Sequence, residues 1–174
     1  MEKPKVVNTE CHGLDPVGTI QFIIASRVQD VRLVGMAINR LCSFHGFSEM
    51  DAFGIELCVV EAVTNAIEHA YRCELGHQVR VVLNLHPDRA EIEVRDQGTP
   101  MDVSLLQEAG YAKLDFVPDD VELLSVRGRG LSIMKEMMDA VGYWQNGEEN
   151  CLVLTKKLRT TSEEDSTAAA RQQD

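Results

Sequence analysis

The chain has 174 residues, of which 17 are basic and 28 acidic, giving a formal net charge of −11 at pH 7. This balance argues against sequence-independent binding of nucleic acid or of an anionic membrane, because both need basic protein surface. The length suits one domain with a sizeable core. We find no apolar run typical of a signal peptide or a membrane span, so we expect a cytoplasmic protein that binds neither membrane nor nucleic acid.

The N-terminal part of the chain predicts a strand and an amphipathic helix. Residues 1–18 carry prolines and glycines without periodicity and are interpreted as a lead-in, with a short strand at 6–7. Residues 19–26 are β-branched and apolar, which is typical of a strand. Apolar residues then recur every three to four positions over residues 28–44, as in a helix that buries one face.

Residues 51–71 predict a long helix that is apolar nearly all round, as a buried helix is. The pattern from Ser48 to Asp51 resembles a capping box and predicts its start. Glu61, Asn65 and His69 follow one another at intervals of four, which places them on one helical face. Half-buried polar groups are costly unless something satisfies them. Two interpretations stay open: a hydrogen-bond network between helices, or a metal–phosphate site.

The second half of the chain predicts two hairpins separated by a loop and a helix. The segments are strands at 77–86 and 90–96, a loop at 101–127 with a short helix at 105–109, a helix at 131–141, a hairpin at 142–158 and a disordered tail at 159–174. The Asn-Gly pair at 146–147 favours a tight hairpin turn. We therefore predict an α/β two-layer sandwich, in which a mostly antiparallel mixed sheet packs against about three helices.

Asp96 ends the second predicted strand on its core-facing side, and Gly98 follows closely. A carboxylate only accepts hydrogen bonds, so it can receive one from an exocyclic amine such as adenine N6. Glycine allows the backbone to approach a ring closely. Alone, this Asp-x-Gly pattern is more often an ordinary turn.

Gly128 and Gly130 open the helix predicted at 131–141. Free N–H groups and the positive end of the helix dipole make such a start an anion site. The Gly-Lys-Ser/Thr ending of a P-loop is absent, and so is the third glycine of a dinucleotide fingerprint. Alone, the two glycines would be simple hinges of the preceding loop.

Taken together and in this order, the polar helix line, the aspartate and the glycines predict a nucleotide site. The amide oxygen of Asn65 is a hard ligand suited to Mg²⁺, which is usually shared with phosphates. Glu61 can take a proton from an incoming nucleophile. The loop 101–127 lies between Asp96 and Gly130, where a lid over a nucleotide is expected.

Three motifs resemble, in order and spacing, the N, G1 and G2 boxes of the gyrase/histidine-kinase/MutL (GHKL) ATPases, which have the Bergerat fold: EAVTNAIEHAY, DQGTP and GRGLSIM. Within that superfamily the chain is most similar to the anti-sigma-factor serine kinases of the RsbW/SpoIIAB type. The resemblance covers residues 19–158 and implies one ATP-binding kinase domain there, with residues 101–127 as its lid.

The resemblance implies specific roles. Asn65 would coordinate Mg²⁺, Glu61 would be the general base for a partner's serine, and Asp96 would bind adenine N6. The other residues implied to bind ATP are His69 beside the triphosphate, Gly98 beneath the adenine ring, and Gly128, Arg129, Gly130 and Leu131 near the phosphates.

The family also implies a function. Its members are homodimeric, ATP-dependent serine/threonine-protein kinases that bind a sigma factor and phosphorylate a STAS-domain anti-sigma antagonist, thereby regulating transcription. One alternative is an ATP-binding regulatory module without kinase activity. Another is the catalytic domain of a histidine kinase, although the helix at 28–44 contains no acceptor histidine.

Two positions depart from the family pattern. Pro100 stands where a second glycine is usual, which reduces flexibility at that hinge of the lid. Asn150 and Cys151 occupy the place of a Gly-Thr pair whose hydroxyl helps to hold adenine.

Overall fold

The computed structural model describes residues 15–108 and 130–159. The elements are β1 (Gly18–Ala25), α1 (Val28–His45), α2 (Glu49–Asn65), a π-helical turn (Ala66–Ala70), β2 (Gln78–Leu85), β3 (Arg89–Asp96), α3 (Val103–Glu108), α4 (Gly130–Met137), β4 (Ala140–Asn146) and β5 (Glu149–Lys157). The predicted strand at 6–7, most of the lid at 101–127, and nearly all of the tail at 159–174 lie outside the described residues.

The five strands form one sheet in the order β1-β2-β3-β5-β4, and each neighbouring pair is antiparallel. The two-layer α/β sandwich is thus confirmed, although the mixed sheet that we predicted contains no parallel pair among the described strands. β5, not β4, lies beside β3. This order pairs Asp96 at the end of β3 with Asn150 at the start of β5.

Helix α2 lies at the centre of the helix layer, where it contacts α1, α4 and the strands β3 and β5. Its buried residues include Ile55, Val59 and Val63, which explains why its sequence is apolar on most sides. Helix α1 packs closely against it, since a Cβ atom at Gly35 would lie 2.7 Å from Cγ2 of Val60. None of the helices within residues 15–108 and 130–159 combines the length and hydropathy of a transmembrane span.

The ends of the first two helices follow the predicted chemistry. Helix α1 stops at Gly46, whose φ of 112° is left-handed. Ser48 caps α2, because its Oγ accepts a hydrogen bond from the backbone N–H of Asp51 at 3.1 Å. The predicted N-cap is therefore confirmed, whereas the Asp51 carboxylate accepts from the Ser48 hydroxyl at 3.0 Å and not from the Ser48 N–H that a full capping box would use.

The end of the central helix differs from the prediction of one regular helix to residue 71. Its last turn is π-helical, and the Tyr71 N–H donates to the carbonyl of Ala66, five residues earlier, at 3.0 Å. A wider turn changes which residues share a face. Asn65 and His69 are consequently no longer related by α-helical spacing, and Asn65 is half-buried whereas His69 is exposed.

Helix α4 is shorter than predicted, because it ends at Met137 and Ala140 already belongs to β4. The apolar sequence that favoured a helix to residue 141 instead pairs with β5. Lys156 stabilises this end of the helix: its Nζ donates to the carbonyl of Met137 at 2.8 Å and lies 3.0 Å from Oδ1 of Asp51.

We expect Ser48→Ala to lower the free energy of unfolding by about 1 kcal/mol, because it removes the acceptor for the first turn of α2. Chemical denaturation followed by circular dichroism measures this. Ser43→Ala, inside α1, is the matched control and should change stability by no more than about 0.5 kcal/mol. Equal losses in both variants would show that the cap contributes nothing.

Candidate active site

The start of α4 lies against the C-terminal part of α2. A Cβ atom at Gly130 would lie 2.7 Å from Oε2 of Glu61 and 3.4 Å from Nδ2 of Asn65. At the other end, a Cβ at Gly54 would lie 3.5 Å from Sδ of Met137, so the two helices run antiparallel. No side chain fits at position 130 without displacing the glutamate. The structure therefore brings Glu61, Asn65 and Gly130 together, as the order of motifs predicted.

Glu61 is half-buried, and this burial raises the pKa of its carboxyl above the ordinary value. The negative charge of Glu68 raises the pKa further. A carboxylate with a raised pKa is a better proton acceptor near neutral pH. The geometry and charge of this position therefore suit a general base.

Asn65 is half-buried, and its side chain makes no hydrogen bond with the residues described in the structure. Its amide oxygen is thus available as a hard ligand. Residues 15–108 and 130–159 contain no group of three or more His, Cys, Asp or Glu that could hold a metal ion. A site with one protein oxygen suits Mg²⁺, which keeps several waters and is shared with phosphates.

A second corner is built around Asp96. Its Oδ1 accepts hydrogen bonds from the Gly98 N–H at 2.9 Å and from Nδ2 of Asn150 at 2.8 Å. Burial raises the pKa of this carboxyl, and the two hydrogen bonds oppose that rise. Within the described residues nothing donates to Oδ2. One carboxylate oxygen is therefore held by the protein and the other is left as an acceptor.

Gly98 lies against the end of the central helix. A Cβ atom there would lie 2.5 Å from the carbonyl oxygen of Ala70 and 2.8 Å from its Cβ. The Thr99 N–H donates to the same carbonyl at 2.9 Å. The sequence suggested that a ligand ring makes glycine necessary here, whereas the structure supplies a protein contact that already requires it. This contact joins the Asp96 corner to the helix that carries Glu61 and Asn65.

Sequence reasoning did not assign three residues that hold this corner. The Tyr71 hydroxyl donates to the Gln78 carbonyl at 2.9 Å and accepts from the Gln97 N–H at 2.8 Å. The Tyr143 hydroxyl accepts from the Met101 N–H at 3.0 Å. Asn150 appeared only as a departure from a family pattern. One feature of the sequence could have indicated its role: a polar residue stands at a core-facing position at the start of the last strand.

For the other predicted site residues the structure gives at most a position and an exposure. Leu131 follows Gly130 in the first turn of α4 and is half-buried. His69 lies on the π-helical turn with an exposed side chain. Gly128 and Arg129 lie outside the described residues, so their roles stay predictions.

Comparisons with known proteins agree with this architecture. Residues 24–156 match the family of histidine kinase-like ATPase domains. The serine-protein kinase RsbW of Listeria innocua is 28% identical over 141 residues, covering 80% of this chain and 87% of that relative. The RsbW kinase of Bacillus licheniformis is 34% identical over 123 residues, covering 70% and 75%.

A solved structure shows the same fold. The crystal structure of the RsbU and RsbW domains of a Mycobacterium tuberculosis protein has a TM-score of 0.56 and 15% sequence identity, and it covers 82% of this chain. This chain spans about a third (32%) of that longer chain. The resemblance seen in the three motifs is thereby confirmed, and the chain belongs to the family of histidine kinase-like ATPase domains, among relatives named serine-protein kinase RsbW.

Proposed function

We propose that this protein is an ATP-dependent serine protein kinase that acts as an anti-sigma factor and phosphorylates a STAS-domain antagonist of that activity. The single observation that carries the proposal is the close approach of Gly130 to Glu61 and Asn65. This approach supports the proposal, because a carboxylate that could accept a proton, an amide that could supply a hard oxygen ligand and the N-terminus of a helix lie close together. The names of the relatives support the choice of serine as the acceptor.

The described residues fit ATP and Mg²⁺. Asn65 would hold the metal, which supplies positive charge that neutralises the transferred phosphoryl group. The start of α4 would face the phosphates, because the backbone N–H groups of its first turn have no partner within the helix. Asp96 would receive the exocyclic amine of adenine at Oδ2.

In phosphoryl transfer the protein mainly positions groups and stabilises charge. Glu61 would accept the proton of the serine hydroxyl as the serine oxygen bonds to the γ-phosphorus. The bond from that phosphorus to the β,γ-bridging oxygen breaks, and ADP leaves with the electron pair. The raised pKa of Glu61 suits this role better than it suits a site that only binds nucleotide.

The partners are proposed from the resemblance to the RsbW-type kinases. The chain would bind a sigma factor in one state and phosphorylate the STAS-domain antagonist in another, acting as a homodimer in the cytoplasm. The formal charge of −11 is compatible with a basic partner surface. A pull-down with and without ATP, followed by mass spectrometry, tests this: recovery of neither a sigma factor nor a STAS-domain protein would contradict it.

We expect Asn65→Ala to weaken Mg²⁺-dependent ATP binding by roughly tenfold or more, because the ligand oxygen is lost. Isothermal titration with ATP, with and without Mg²⁺, measures the effect. Asn84→Ala is the control and should bind normally, because the Asn84 side chain on β2 accepts a hydrogen bond from Thr19, on the edge strand β1. Unaltered affinity in Asn65→Ala would remove this residue from metal binding.

We expect Glu61→Gln to bind ATP but to lose phosphate transfer by a factor of about 10² to 10⁴, because the amide cannot take a proton. Transfer of labelled γ-phosphate to a STAS-domain protein recovered in the pull-down measures this. In the wild type the rate should fall as the pH drops through the raised pKa of Glu61, since the protonated carboxyl is no base.

Glu68→Gln is the matched control for the glutamate. It should keep its transfer activity, and its rate should persist to lower pH than that of the wild type, because removing the charge of Glu68 lowers the pKa of Glu61. Undiminished labelling of the partner by Glu61→Gln would identify another base. Loss of transfer in both variants would argue against a specific role for Glu61.

We expect Asp96→Asn to weaken ATP binding more than GTP binding, because only adenine presents an amine at the position of the guanine O6 carbonyl. Competition of each nucleotide against a fluorescent ATP analogue measures the two affinities. Asp88→Asn, in the exposed turn between β2 and β3, is the control and should change neither. Equal weakening of ATP and GTP would exclude Asp96 from recognition of adenine.

A further inference from the structure

The segment that follows Asp96 has no backbone donor left for a ligand. Each N–H between positions 97 and 101 already has an acceptor, and Pro100 has no N–H. The pairs are Gln97 with the Tyr71 hydroxyl (2.8 Å), Gly98 with Oδ1 of Asp96 (2.9 Å), Thr99 with the Ala70 carbonyl (2.9 Å) and Met101 with the Tyr143 hydroxyl (3.0 Å). A group that bonds to the backbone of this segment must therefore itself donate the hydrogen.

Asn150 reduces the number of free hydrogen-bond acceptors around Asp96. Its side chain is almost fully buried, with 1% of its surface exposed. Its Nδ2 donates both to Oδ1 of Asp96 at 2.8 Å and to the carbonyl of Gly98 at 3.0 Å. Since a carboxylate and a carbonyl only accept, the orientation of the amide is fixed. The Asn150 amide thus occupies two of the acceptors and leaves Oδ2 of Asp96 for a ligand.

We propose that Asn150 is a positioning residue that sets the base specificity of the nucleotide site. By holding Asp96 through Oδ1 and occupying the Gly98 carbonyl, it fixes Oδ2 as the carboxylate oxygen that can accept from a ligand. That acceptor selects a base with an exocyclic amino group over a base with a carbonyl at the same position. The inference rests on the proposed nucleotide-binding function and deepens it. Asn150 acts through Asp96 and is not itself placed in contact with the reacting atoms.

The same contact controls the charge of Asp96. Burial raises the pKa of this carboxyl, and the hydrogen bonds from Asn150 and Gly98 lower it. Among the described residues, the charge of Asp96 acts on Tyr71 on the helix side and on Tyr143 on β4. Burial raises the pKa of both tyrosines, so they stay neutral near pH 7. Without Asn150, Asp96 would protonate at higher pH and could then donate to a base carbonyl.

The test compares ATP with inosine triphosphate, which carries a carbonyl in place of the amine. Titrations run from neutral to mildly acidic pH with the wild type, Asn150→Leu and Thr155→Val, a change of another buried polar residue of β5. The wild type and Thr155→Val should prefer ATP by about ten- to hundredfold. In Asn150→Leu the preference for ATP should fall to a few fold. As the pH is lowered, ATP binding by this variant should begin to weaken at a higher pH than in the wild type.

The outcomes separate the two proposals. A wild type that binds neither nucleotide contradicts the proposed function. A wild type that prefers ATP, beside a folded Asn150→Leu with the same preference and pH profile, overturns only the role of Asn150. Thermal unfolding identifies a variant that does not fold.

If Asn150→Leu does not fold, a measurement on the wild type tests the role of Asn150. The side-chain amide resonance of Asn150 should shift with pH in step with the carboxyl resonance of Asp96, because the two groups share a hydrogen bond. An amide resonance that does not move while Asp96 titrates overturns the inference.

Discussion

The site depends on the close approach of α4 to α2 at Gly130. A hydrogen atom in place of a side chain lets the first turn of one helix lie directly on the carboxylate of Glu61 and beside the amide of Asn65. The positive end of the α4 dipole and the half-buried carboxylate of Glu61 thus lie close together. The proposed phosphate site uses the backbone N–H groups of the same first turn, which have no partner within the helix.

Helix α2 and its π-helical turn connect the two corners of the site. Glu61 and Asn65 lie before the turn, and Ala70 at its end contacts Gly98 and accepts from Thr99. About one helical turn therefore separates Asn65 from the contact between Ala70 and Gly98. Arg72 and Cys73, with φ of 52° and 62°, reverse the chain directly afterwards. The central helix therefore ends directly beside the corner that is built around Asp96.

Much of the fold could be predicted because local patterns determine it. The alternation in residues 77–96 fixed the faces of β2 and β3, and Ser48 and Gly46 marked helix ends. What could not be predicted depends on long-range pairing. Whether residues 138–141 continue a helix or enter a strand depends on β5, and the choice of β5 as the neighbour of β3 has no signal in either strand alone.

The same distinction applies to the site. Glu61, Asn65 and Asp96 could be selected from spacing and chemistry, whereas the partner of Asp96 depends on the register between β3 and β5. That register places Asn150 where its Oδ1 is buried without a partner among the described residues. Such a group costs about 1–3 kcal/mol of stability. An apolar residue would avoid that cost but could not donate to Asp96, so the position favours control of the carboxylate over stability of the strand.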